Sequence, residues 1–175
     1  MPHDPEARLH ELGLELPAVP DPAGAYVPAT RTANLIFTAG QLPFENGELR
    51  KTGKVGGAVS ADEANEAARL CALNALAAAA AEAGGLNRIR RVVKVTGFVA
   101  SAPDFNAQPQ VVNGASELIG ELFGEAGLHA RSAVGVAELP LDAPVEVELI
   151  VELVTYTPHP TMGFSVLPDT TLLKV

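Results

Sequence analysis

Two charged residues near the end of the chain are placed to do chemistry. Arg131 opens ARSAVGV, a run that is otherwise small and mostly apolar, and Glu146 stands in the alternating run VEVELIVEL. A guanidinium at the mouth of such a strand needs a partner. Its planar fork donates two parallel hydrogen bonds, which suits a carboxylate. The partner is an ordinary carboxylate such as Glu146 or Glu148, or solvent, or a bound ligand, and the residue pattern leaves these open.

Side chains alternate between faces along a strand. Val145, Val147, Leu149, Val151 and Leu153 form one apolar row, expected to face helices, and Glu146, Glu148, Ile150 and Glu152 then face away. In the preceding strand, Arg131 to Leu139, Val134 and Val136 are the larger apolar residues and are expected on the helix side, with Ser132 at the edge. Arg131, Ala133, Gly135 and Ala137 would then face away. If the two strands pair as a hairpin, Arg131 and Glu146 flank a niche of small residues with room for a small ligand.

The elements that position this pair are readable. Ser60 and Glu63 form a capping box, and the alanine-rich run to Ala83 ends at Gly84-Gly85, which predicts a long helix. Pro109 suits a first helical turn, and Val112, Ala115, Leu118, Ile119, Leu122 and Phe123 keep helical spacing as far as Gly124 or Gly127. Leu9 and Leu12 predict a short amphipathic helix over residues 4–12, stopped by Gly13, with Leu14 and Leu16 extended beyond it. Pro17, Pro20 and Pro22 then make an extended lead-in. ANLIFTAGQLP, from Ala33, reads as a strand, and ENGELRKTGKVG, from Glu45, continues through a turn at Asn46-Gly47. RRVVKVTGFVAS, from Arg90, is a β-branched strand, and the last strand runs from Val145 to about Tyr156. The predicted order, β-β-α-β-α-β-β, is one α+β sheet with its helices on one face. Residues 1–25 read as an N-terminal extension and 26–156 as the domain. Residues 157–175 form a proline-containing tail whose Phe164, Leu167, Leu172 and Leu173 could dock on a neighbour.

Composition narrows the function. A length of 175 residues bounds one domain with a real core. Only 19 % of residues are charged, so part of the surface is expected to be covered by another copy. The net charge of −9 opposes nucleic-acid binding, which needs a basic face. The cluster Arg88, Arg90 and Arg91 reads as a solvated turn. The single cysteine, Cys71, allows no internal disulfide and reads as a small buried hydrophobe. His3, His10, His129 and His159 lack metal-ligand spacing, so no metal is expected. The N-terminus has no signal-peptide apolar core and no apolar run is long enough to span a bilayer, which predicts a cytoplasmic protein without membrane contact.

Several stretches in order carry a family resemblance: TAGQLP at Thr38 to Pro43, the helix end NALAAAAAEAGG, VVKVTGFVASAPDF at Val92 to Phe105, and HARSAVGVAELPLDAPVEVELIVE at His129 to Glu152. From about Tyr26 to Glu152 the chain resembles the Rid, or YjgF-like, family of reactive intermediate deaminases. The resemblance implies a chorismate-mutase-like α+β subunit in a homotrimer, with sheets around a central barrel, helices outside and ligand clefts between subunits. It implies hydrolysis of small enamines and imines (2-imino acids) to 2-oxo acids and ammonia, with no metal or organic cofactor. Arg131 would clamp the substrate carboxylate and Glu146 would sit by the attacking water. Tyr26 and Asn113 match other cleft positions, and Gly40 lies in the glycine turn beside the cleft. Ala133 stands where deaminating members carry cysteine, Ala39 where they usually carry serine, and His129 where they usually carry proline. These departures leave a second function class standing: a trimer that binds a small carboxylate ligand without turning it over. RNA cleavage, another activity named among relatives, is disfavoured by the acidic balance.

Overall fold

The computed structural model describes residues 4–19 and 24–155. The expected tail, with Phe164, Leu167, Leu172 and Leu173, lies outside the described residues, as do Pro20 and Pro22.

Local chemistry sets the helices. Helix α1 (Pro5–Glu11) is capped by the Asp4 carboxylate, which accepts from the Ala7 amide, and it stops before Gly13 at φ 66°. Helix α2 (Ala61–Ala83) starts at the Ser60–Glu63 capping box and ends on Gly84 in the left-handed conformation. Helix α3 (Gln108–Phe123) carries Pro109 in its first turn and ends at Gly124. Gly114 of α3 lets the two helices approach closely: a Cβ there would fall inside the Asn65 carbonyl of α2.

The main sheet has strands β1 (Ala29–Thr32), β2 (Leu35–Thr38), β5 (Ile89–Ala100), β6 (Ala130–Val136) and β7 (Val145–Leu153). Between β2 and α2 lies a separate small hairpin, β3 (Phe44–Glu45) and β4 (Glu48–Leu49), turning at Asn46-Gly47 with both φ positive. The spatial order is β1-β2-β7-β5-β6. Thus the turn at Asn46-Gly47 is where it was expected, but the sheet's first hairpin is β1–β2, turning at Ala33 and Asn34. The strand expected from Ala33 starts two residues later, because Ala33 at φ 50° belongs to that turn.

The hairpin expected between the last two strands does not form. β6 pairs in parallel with β5, and β7 lies antiparallel between β2 and β5. The reason is topological: β5, α3 and β6 make a strand–helix–strand crossover, which returns the chain beside and parallel to its start. The loop 137–144 then carries the chain past the end of β5 and back into the sheet.

One face of the sheet packs on α2 and α3. The row Val145, Val147, Leu149, Val151 and Leu153 is buried, as expected. Ile36, Val92, Val95 and Val99 join it, with Leu76, Cys71, Val112, Leu118 and Ile119 from the helices. Leu9 of α1 is buried and Leu12 packs against the same core. Arg90 and Arg91 are exposed at the start of β5 rather than in a turn, and both pair with Glu152.

Candidate active site

Arg131 lies opposite Val95, Ala133 opposite Gly97, and Gly135 opposite Val99. Paired residues on neighbouring strands share a face, and Val95 and Val99 are in the helix-facing core. Arg131, Ala133 and Gly135 therefore point toward α3, while Val134, 44 % exposed, points away. This reverses the expected facing of that strand. On an edge strand the larger apolar side chains need not fill the core: Gly97 and Ala133 leave space for Val112, whose side chain would meet any Cβ at Gly97.

Arg131 consequently reaches onto α3. Its Nη1 donates to Asn113 Oδ1 (2.8 Å) and Ser116 Oγ (3.1 Å), and its Nη2 donates to the Pro109 carbonyl (3.2 Å). Asn113 and Ser116 stand three apart and so share a helical face. A guanidinium has five N–H donors in a rigid fork. Three are spent on α3. The Nε–H and the second Nη2–H are taken by no described residue, and together they can form the two-pronged edge that a carboxylate accepts. Arg131 is in none of the ion pairs among the described residues, so it forms no pair with Glu146 or Glu148 within one chain.

A second cluster forms at the other side of the sheet. A cavity of about 1030 Å³ brings Tyr26, Ala39, Gly40 and Glu146 together. Its remaining walls include Val19, Leu42, Phe44 and Leu141, which are apolar. The stretch around Gly40 is held firmly. Gln41 exchanges backbone hydrogen bonds with Val147 (2.9 and 3.0 Å), and Ala39 N donates to the Pro28 carbonyl (2.8 Å). Asn74 of α2 donates to the carbonyls of Leu42 (2.8 Å) and Phe44 (3.0 Å). The Glu146 carboxylate lies directly over Gly40, so closely that any Cβ there would overlap it. A side chain at this position would therefore displace the Glu146 carboxylate. Glu146 is half-buried, and burial first and the neighbouring Glu148 second raise its pKa above the usual carboxylate value. Leu141, which lines the cavity, holds φ 57°, a strained conformation for a leucine, and Asp142 after it also holds φ 57°.

The two clusters do not meet within one chain. Glu146 lies opposite Phe98 on the face away from the helices, whereas Arg131 is on the helix face, and β5 separates their strands. The expected shared niche rested on the hairpin that does not form. Of the expected site residues, Arg131, Asn113 and Ala133 thus fall in one cluster and Tyr26, Ala39, Gly40 and Glu146 in the other. Ser116 and Asn74 were not singled out from sequence. Ser116 was findable from its spacing to Asn113, while Asn74 acts through backbone carbonyls and leaves no local signal. Among the described residues no group of three His, Cys, Asp or Glu side chains is arranged to hold a metal ion. No helix among them is long and apolar enough to cross a membrane.

Fold and site together define an α+β protein with a mixed sheet, an arginine held with a free edge, and a separate cavity floored by a carboxylate. The chain belongs to the family described as "YjgF/chorismate_mutase-like, putative endoribonuclease", whose model matches residues 6–153. It is 45 % identical over 148 residues to Protein TCP17 of Trypanosoma cruzi, covering 84 % of this chain and 92 % of that one. It is 33 % identical to a 2-iminobutanoate/2-iminopropanoate deaminase of Dermatophagoides farinae, covering 79 % and 93 %. Among solved structures, the protein Atu1372 of Agrobacterium tumefaciens, of unknown function, shares 51 % identity at a TM-score of 0.78, covering 86 % and 94 %.

Proposed function

We propose that this chain is a hydrolytic imine deaminase acting on small 2-imino acids in a cleft made by two copies of the chain. The observation that carries the reading is the held guanidinium of Arg131, with two N–H donors left for a carboxylate. Glu146, on the opposite face, cannot reach a small ligand bound there by the same chain. A neighbouring copy, in a homotrimer whose exposed sheet faces are turned inward, supplies it. Phe37 and Val134, both exposed on that face, fit such burial.

The reaction needs orientation and one proton relay. Arg131 fixes the substrate carboxylate. Glu146, a carboxylate made more basic by its burial, takes a proton from water as the water oxygen bonds to the imine carbon. The proton passes to nitrogen, giving a carbinolamine. The carbinolamine hydroxyl then loses its own proton, relayed through Glu146 to the nitrogen, the C=O bond forms as the C–N bond breaks, and a 2-oxo acid and ammonia leave. No cofactor enters these steps. The deaminase among the relatives supports this reading.

A second reading is a trimer that binds a small carboxylate without turnover. Ala39 in the cavity and Ala133 beside Arg131 favour it, since neither offers a polar side chain where deaminating relatives have one. Ammonia release from freshly generated 2-iminobutanoate and 2-iminopropanoate separates the two. Turnover by the wild type that is lost in Arg131→Ala supports the deaminase. Calorimetric binding of 2-oxobutanoate with no ammonia release supports the binding protein.

A further inference from the structure

The residue before the arginine strand takes part in the same hydrogen-bond chain. His129 Nδ1 lies 2.6 Å from the Gly127 carbonyl, and its Nε2 lies 3.0 Å from Ser116 Oγ. A carbonyl only accepts, so Nδ1 is the protonated nitrogen. In the neutral ring Nε2 is then an acceptor, and the Ser116 hydroxyl donates to it. That turns the Ser116 proton away from Arg131 and leaves its lone pairs to receive the Arg131 Nη1–H at 3.1 Å. The order runs from the Gly127 carbonyl through His129 and Ser116 to Arg131, with each donor pointing toward its acceptor.

We propose that His129 is a positioning residue for the carboxylate clamp, acting through Ser116. The inference rests on the reading of Arg131 as a ligand-binding group. Without His129 the Ser116 hydroxyl rotates freely, and its proton can point at the guanidinium it should accept from. The arginine then loses one of its three anchors for part of the time. A looser fork binds a carboxylate less well, and the loss falls more on binding than on the chemistry at the imine carbon, which Glu146 serves. His129 is itself half-buried, and both of its ring nitrogens are engaged, by Gly127 and Ser116, rather than bonded to Arg131.

The test is calorimetric binding of 2-oxobutanoate, with KM and kcat measured alongside. His129→Leu and Ser116→Ala each raise Kd and KM about tenfold, the scale of one lost hydrogen bond to a charged group, with a smaller fall in kcat than in kcat/KM. His129→Gln, which returns an acceptor near the Nε2 position, restores affinity. The double variant Ser116→Ala with His129→Leu is no worse than Ser116→Ala alone, because both act through one bond. Unchanged affinity in His129→Leu, no rescue by glutamine, or additive losses in the double variant each overturn the proposal. Arg131→Ala is measured in parallel. If it loses binding while His129→Leu does not, only the role of His129 fails. If it too binds normally, the reading of Arg131 fails and this inference falls with it.

Discussion

The fork of Arg131 and the carboxylate of Glu146 make separable predictions. Arg131→Lys keeps the charge but cannot reproduce three anchors and a free edge. It weakens 2-oxobutanoate by on the order of 1–3 kcal/mol, read by calorimetry. Glu146→Gln keeps shape and removes the base, and kcat falls at least about 100-fold. The sign for stability is the opposite. A carboxyl whose folded pKa is raised binds protons more tightly in the folded chain, so stability falls as pH rises through that range. The Glu146→Gln protein therefore melts higher than wild type at neutral pH, and the difference closes in acid. A lower Tm would show that the Glu146 charge is compensated in the folded state. Gly40→Ala forces the Glu146 side chain aside; activity drops while the far-UV circular dichroism spectrum is kept.

Helix α3 anchors Arg131 and α2 walls the cavity, and their mutual contact depends on a glycine. Gly114→Ala drives a Cβ into the Asn65 backbone, which cannot swing away as a side chain would. It costs about 1–3 kcal/mol in a urea unfolding curve and loosens Asn113, its helical neighbour. At the start of α2, Ser60 and Glu63 satisfy each other's amides, and Lys51 Nζ lies 2.7 Å from Glu63. Ser60→Ala costs about 1 kcal/mol. The Lys51 ammonium and the Ser60 hydrogen bonds lower the Glu63 pKa to about 2. Its stabilising contribution is thus fully present above the ordinary carboxylate pKa and is lost as pH falls toward 2. The Glu63→Gln protein should show a shallower loss of Tm across that acid range than wild type.

For the whole molecule, the proposed deaminase reading makes oligomerisation a catalytic requirement, because Arg131 and Glu146 lie on opposite sheet faces of one chain. Arg131→Ala and Glu146→Gln proteins are each inactive alone. Refolded together in equal amounts, they regain about a quarter of wild-type activity, because random pairing puts an intact Arg131 opposite an intact Glu146 in that share of clefts. No recovery from mixed trimers would place both residues' action within one chain. Val134→Asp, on the exposed sheet face, should shift the sedimentation coefficient to that of a smaller species and abolish turnover together with it.

Much of the molecule follows from local signals. The capping box at Ser60, the glycine stop at Gly84, Pro109 in the first turn of α3 and the alternating row of β7 each act through near neighbours in the chain, so the elements they define were legible. The family was legible too, because TAGQLP and HARSAVGV are contiguous. Strand order was not. Whether β6 turns back on β7 or runs beside β5 is decided by the α3 crossover and by contacts distant in sequence. The facing of Arg131 was lost with it: Val134 is larger than Ala133, but which of them faces the helices depends on the room that Gly97 leaves for Val112. Sequence alone singled out Arg131 and Glu146 as candidates, their roles being what the family resemblance implies. Only the tertiary structure put a strand between them and turned them to opposite faces, because a sheet fixes side-chain direction by its pairing partner and not by its own pattern alone.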